Sequence, residues 1–160
     1  MRPGAWAVFV AILVFVHLFL HAGFGLGGSA PDLLAIAVLL TARRAPAARV
    51  TLLALFLGFL DDALGVRNLG ARSVSLGIAA VLGTWSKRVV EGEGPLFVMA
   101  YLFAGKWVAD ATLLVMVPNG LPAGAVVANL STWSLLAALY AAVAGTMALA
   151  GFRLVMGPDA

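Results

Sequence analysis

Six apolar runs, at about 5–24, 31–42, 50–65, 74–85, 95–117 and 124–150, fill most of this chain, with few charges between them. A soluble fold needs polar side chains to cover its exterior, and here only 11% of the 160 residues are charged while 63% are hydrophobic. Repeated runs of this kind read as an integral membrane protein whose solvent is membrane lipid. Lipid offers the backbone no hydrogen bonds, so only helices or closed barrels span it, and the continuous runs lack the alternation of barrel strands. The expected fold is therefore all-α: a polytopic membrane bundle of about six transmembrane helices forming a single domain over 1–160. Cysteine is absent, which removes disulfides and thiolate chemistry.

The basic residues sort by topology. With the N-terminus inside and six crossings, Arg2, Arg43, Arg44, Arg49, Lys87, Arg88 and Arg153 are cytoplasmic, Arg67 and Arg72 lie outside, and Lys106 is intramembrane. That bias follows the positive-inside rule and accounts for the net charge of +3 without a nucleic-acid partner. The second run makes only roughly 18 Å of helix against a core of about 30 Å, so a re-entrant path competes with a crossing. A re-entrant path would put Arg43, Arg44 and Arg49 outside and weaken the bias; six crossings with both termini cytoplasmic is the expectation. The first run exceeds a typical signal-peptide core, and Pro31 follows the small residues Gly28-Ser29-Ala30, which predicts a retained anchor.

Asp61 and Asp62 sit inside the third run, Leu52-Leu-Ala-Leu-Phe-Leu-Gly-Phe-Leu-Asp-Asp-Ala-Leu-Gly65. A carboxylate at such depth costs at least roughly 2.5–3.5 kcal/mol, so it faces the bundle interior and finds a partner. Counting along helices puts Asp62 roughly 18 Å up the third, and Lys106 and Asp110 roughly 16 and 22 Å up the fifth. Lys106 is therefore expected to bridge Asp62 and Asp110, with Arg67 or Arg72 folding back to Asp61. Such a network holds helices in register, carries a solute or proton, or binds a partner. A relay needs titratable groups across the whole membrane, and the centres of the fourth and sixth runs supply none.

Other polar groups have local readings. Ser29-Ala-Pro-Asp32 is a helix-start signature in which a negative side chain suits the exposed amides. His17 and His21, four apart, present either a half-formed metal site or hydrogen bonds near the outer interface. Small residues at Ala7 and Ala11, Ala137 and Ala141, and Ala141 and Gly145 mark faces where helices approach closely. No phosphate-binding glycine loop, catalytic Ser/His/Asp set or zinc-ligand cluster is present, and the acids lack the spacing of a metal-dependent lipid phosphotransferase. No cofactor is expected.

The segment Pro31-Asp32-Leu-Leu-Ala-Ile-Ala-Val-Leu-Leu40, then Leu57-Gly58-Phe-Leu-Asp61-Asp62, Leu69-Gly70-Ala71-Arg72 and Asp110 together resemble the MreD family of rod-shape-determining membrane proteins. The resemblance covers roughly residues 30–115. It maps the family's proline and polar residue onto Pro31 and Asp32, its Gly-x-x-x-Asp onto Gly58 and Asp62, its Leu-Gly onto Leu69 and Gly70, and its fifth-span aspartate onto Asp110. Asp61 and Lys106 depart from that pattern. The resemblance implies a non-enzymatic scaffold in the bacterial cytoplasmic (inner) membrane. Such a scaffold binds MreC and links MreB filaments to RodA and its class B penicillin-binding transpeptidase during peptidoglycan synthesis. The family is similar in fold to S-components of energy-coupling-factor transporters, and a vitamin-binding S-component is the alternative. Ala7 and Ala11 fit that alternative's coupling face, whereas the short outer loops do not suit a ligand site.

Overall fold

The computed structural model describes residues 3–23, 30–65, 69–87, 92, 94–117 and 122–156. All regular structure among these residues is helical. α1 (Pro3–Leu18) runs into a π-helical turn (Phe19–Gly23), followed by α2 (Leu33–Ala42), α3 (Ala47–Gly65), α4 (Ala71–Ser86) and α5 (Pro95–Met116). The last run forms two helices, α6 (Ala123–Ser131) and α7 (Trp133–Met156). Each of the six apolar runs thus becomes helix, the last one broken. The expected positions of Arg2, Ser29, Arg67 and Arg88 lie outside the described residues.

α2 is the centre of the bundle and touches α1, α3, α4, α5 and α7. Of its ten residues only Thr41 escapes full burial. Two cores form on its opposite sides. Leu33, Ile36, Leu39 and Leu40 pack with Phe9 and Leu13 of α1, Val98 and Leu102 of α5, and Ala141, Ala142 and Leu149 of α7. Leu34, Ala35, Val38 and Ala42 meet Val50, Ala54 and Leu57 of α3 and Leu76 and Ala80 of α4. A helix apolar on every face is suited to such an enclosed position.

The exterior is as apolar as the core. Phe15 of α1, Leu52, Phe56 and Phe59 of α3, and Trp133, Leu136 and Met147 of α7 lie exposed, while His17, Asp32, Asp62, Arg72, Ser75 and Lys106 are buried. This inverts the distribution of a soluble protein and matches a bundle solvated by hydrocarbon. Three helical stretches are long and apolar enough to cross a membrane: Gly4–His21, Pro95–Met116 and Gly124–Met156. α2, at about 15 Å, covers half of a hydrocarbon core of about 30 Å.

The break between α6 and α7 is chemically satisfied. The Thr132 amide, the Thr132 hydroxyl and the Ser131 hydroxyl all donate to the Ala128 carbonyl, at 3.1, 2.6 and 3.1 Å. The indole Nε1 of Trp107 on α5 donates to the Leu130 carbonyl at 3.1 Å. The two hydroxyls thus add to a ladder bond that Ala128 keeps, and the Trp107 indole supplies a donor to a carbonyl at the break.

Candidate functional site

One end of the bundle brings the C-terminal parts of α1 and α3 beside the N-terminal parts of α2 and α4 and the later half of α5. Their polar side chains form one buried cluster. Asp32 is the N-cap of α2, and its Oδ1 accepts the Ala35 amide at 3.1 Å. Its other oxygen, Oδ2, accepts from Arg72 Nη2 of α4 and lies 3.1 Å from Lys106 Nζ of α5. Lys106 also donates to Asp110 one turn along the same helix. Arg72 Nε lies 3.4 Å from Asp61 Oδ2 of α3, and Asp61 Oδ1 accepts from His17 Nε2 of α1 at 3.3 Å. Five helices are joined through six side chains.

Asp62 occupies a different place from the one its depth suggests. It does not meet Lys106; its Oδ2 accepts the amides of Gly70 and Arg72 at 2.9 and 3.1 Å. The first amides of α4 have no partners within their own helix, and a carboxylate there also opposes the positive end of the helix dipole. Gly70 makes this geometry accessible: at φ 92° it turns the chain through the left-handed region that glycine adopts without penalty. Gly58, one turn before Asp62, completes the joint. A Cβ there would lie 2.5 Å from the Ser73 Cα, so α3 and α4 touch backbone to backbone. Ser73 Oγ donates to the Leu55 carbonyl across the same contact at 3.1 Å.

Counting residues along α3 and α5 found the right depth but not the azimuth. Adjacent helical residues point about 100° apart, so Asp61 and Asp62 address different neighbours. The acid that meets Lys106 beside Asp110 is Asp32, read from the sequence only as a cap. One carboxylate has two oxygens, and a capping bond uses one of them. That spare oxygen was the signal for its second role. Of the two arginines expected near Asp61, Arg72 is there, and Arg67 lies outside the described residues. Pro31 immediately precedes the Asp32 cap, and Leu69 lies exposed at the tip of the α3–α4 turn.

The histidines stack on each other, with ring centroids 3.8 Å apart, and His21 Nδ1 donates to the His17 carbonyl at 3.1 Å. Among the described residues, no group of three or more His or acidic side chains is placed to hold a metal ion. Below the cluster, Ser75 Oγ donates to the Ala109 carbonyl at 2.6 Å and ties α4 to α5.

The opposite end is basic and aromatic. Arg43 lies over the rings of Phe97 and Tyr101 and donates to the Gly92 carbonyl, and Arg44 lies 4.0 Å over Trp6. Lys87 Nζ donates to the Ala45 carbonyl at 2.9 Å, and Tyr101 donates to the Leu39 carbonyl at 2.8 Å. Arg153 follows Phe152, which stacks on Phe9 of α1 at 4.6 Å. Cations over aromatic faces and near the C-terminus of α2 are favourable on both counts. No family model, curated protein or solved structure matches the chain.

Proposed function

We propose that the chain is a non-enzymatic membrane scaffold of the MreD kind, serving the bacterial cell-elongation complex. The observation that carries this reading is the self-contained charge cluster. Asp32, Asp61, Asp110, Arg72, Lys106 and His17 are engaged with one another across five helices. Breaking one partner out of a buried ion network costs about 3–5 kcal/mol, so charges arranged in this way resist helix displacement. A protein that presents a fixed helix face to partners needs that property.

The residues behind the MreD resemblance have coherent structural roles in this arrangement. Gly58, Asp62 and Gly70 make the α3–α4 joint, and Pro31 and Asp32 open α2 at the cluster. On this reading the chain crosses the cytoplasmic membrane six times with both termini inside. The placement of Arg43, Arg44, Arg49, Lys87 and Arg153 near one end supports that orientation, because the cations at the other described end, Arg72 and Lys106, are spent in ion pairs. Ala7 and Ala11 lie on the exposed face of α1, where small side chains let another helix approach. The membrane-spanning segment of MreC is the partner assigned to the scaffold, with RodA, the class B penicillin-binding transpeptidase and MreB further along the assembly.

The test is affinity purification of the tagged chain in mild detergent, with mass spectrometry of co-purifying proteins and small molecules. Recovery of MreC with RodA and the transpeptidase is the expected result. Recovery of an ATPase module together with a stoichiometric vitamin replaces the scaffold by an S-component.

A further inference from the structure

Charged side chains bound α2, α3 and α4 at both ends. At the acidic end, Asp32 of α2, Asp61 of α3 and Arg72 of α4 are joined by ion pairs and so share one level. At the basic end, Arg43 caps α2, and Lys87, which caps α4, donates to the Ala45 carbonyl in the α2–α3 turn. The ten residues of α2 set the spacing between the two levels at about 15–17 Å.

The outward surface of α3 and α4 is correspondingly short. Large apolar side chains lie exposed from Leu52 to Leu64 on α3 and from Val74 to Trp85 on α4, about 18 and 17 Å along the two axes. Arg49 is exposed at the basic edge of this wall, and Asp61, about a quarter exposed, lies one turn inside the acidic edge. Among the described residues past these belts, Leu69 on the connecting turn is the one large apolar side chain exposed. The opposite wall is taller. Exposed apolar side chains run from Leu96 to Met116 on α5, and on α7 from Trp133 down to the exposed Arg153, about 30 Å on each axis. Lys106 meets Asp32 at the cluster, yet α5 continues to Met116, about 15 Å further. α2 and α4 begin at the cluster, so the bundle has a step there.

A hydrophobic wall shorter than the hydrocarbon core is matched by thinning the bilayer, by snorkelling side chains or by covering the wall with another protein. Tilt shortens a helix's reach and cannot supply the missing length. The Asp61 side chain is too short to snorkel. Leu52, Phe56, Phe59, Ile78 and Trp85 make the wall bulky, whereas helices that pack closely in lipid meet through small residues. We propose that the protein thins the bilayer along its α3–α4 wall, and that the lipids fitting this wall carry short acyl chains. Such thinning requires α3 and α4 both to cross the membrane, as in the six-crossing arrangement, and is independent of the scaffold assignment.

The chain has no cysteine, so a nitroxide on a single introduced thiol reports its own depth through collisions with oxygen and with a water-soluble nickel chelate. Phe56→Cys and Val143→Cys place labels near the middle of the short and tall walls, both at exposed positions. In vesicles of dioleoyl phosphatidylcholine, the Val143 label is expected about 15 Å below the hydrocarbon boundary, half the core. The Phe56 label is expected at about 9 Å, half the length of its belt. Equal depths of about 15 Å overturn the thinning and leave the six crossings standing. A Phe56 label fully open to the nickel chelate overturns both, because α3 then lies outside the lipid. Should Phe56→Cys fail to fold, Phe59→Cys on the same wall replaces it, with the same outcomes.

Discussion

Asp32 divides its two oxygens between the backbone of α2 and the cations of α4 and α5, whereas Asp62 gives one oxygen to two amides. Equal-looking acids should therefore respond differently to neutral replacement. Asp32→Asn keeps an acceptor for the cap but leaves Arg72 and Lys106 facing an uncharged group, and should cost about 3–5 kcal/mol. Asp62→Asn keeps an oxygen for the Gly70 and Arg72 amides and should cost about 1 kcal/mol; Asp62→Ala strands both and should cost about 1–3 kcal/mol. Equilibrium unfolding in micelles separates these cases, and an Asp62→Asn variant as damaged as Asp32→Asn would contradict the assignment. At this scale the expected network and the observed cluster share Asp61, Arg72, Lys106 and Asp110, because charges in an apolar run have few alternatives, whereas Asp32 and His17 join it unforeseen and Asp62 stands apart. Their pairing was not legible. It depends on the angle at which each helix faces its neighbours, and two side chains 100° apart on α3 meet different ones.

Among the elements, α2 bears the most and is the least able to adjust. Both faces are in contact, and α7 reaches it through the small side chains Ala138, Ala141, Ala142 and Gly145. A Cβ at Gly145 would come within 2.7 Å of Leu102 and 2.9 Å of Ile36, while nothing lies within 4 Å of one at Gly151. Gly145→Leu should then lose about 1–3 kcal/mol through overpacking, and Gly151→Leu should lose none. Comparison of their unfolding midpoints with wild type measures this directly. The six helical runs were visible in the sequence because lipid-compatible helices need long apolar stretches. The break at Thr132 was missed: the polar residues Asn129, Ser131, Thr132 and Ser134 cluster there, but no glycine or proline marks it. Of the expected small-residue positions, Ala141 and Gly145 are buried and Ala137 is exposed, since the contact runs one row over.

For the whole molecule, the proposed six-crossing topology is one that chemistry can read. The chain has no cysteine, so single introduced thiols report cleanly. Leu69→Cys, at the acidic end, should react with a membrane-impermeant maleimide applied to intact cells, and Ala48→Cys, at the basic end, only after permeabilisation. Labelling of both from the same side would refute the six-crossing arrangement. The burial of α2 also bears on the order of events during synthesis. Asp32 and Arg72 are made long before Lys106, and at about 5–20 residues per second the ribosome needs roughly 2–7 seconds to bridge that interval. During it, the short central helix has neither α5 nor α7 to cover it, and its cap carboxylate lacks one of its two cations. Until those later helices arrive, the side of α2 that carries Ile36, Leu39 and Leu40 has only α1 against it, so the half-built bundle is held together mainly by the contacts of α2 with α1, α3 and α4.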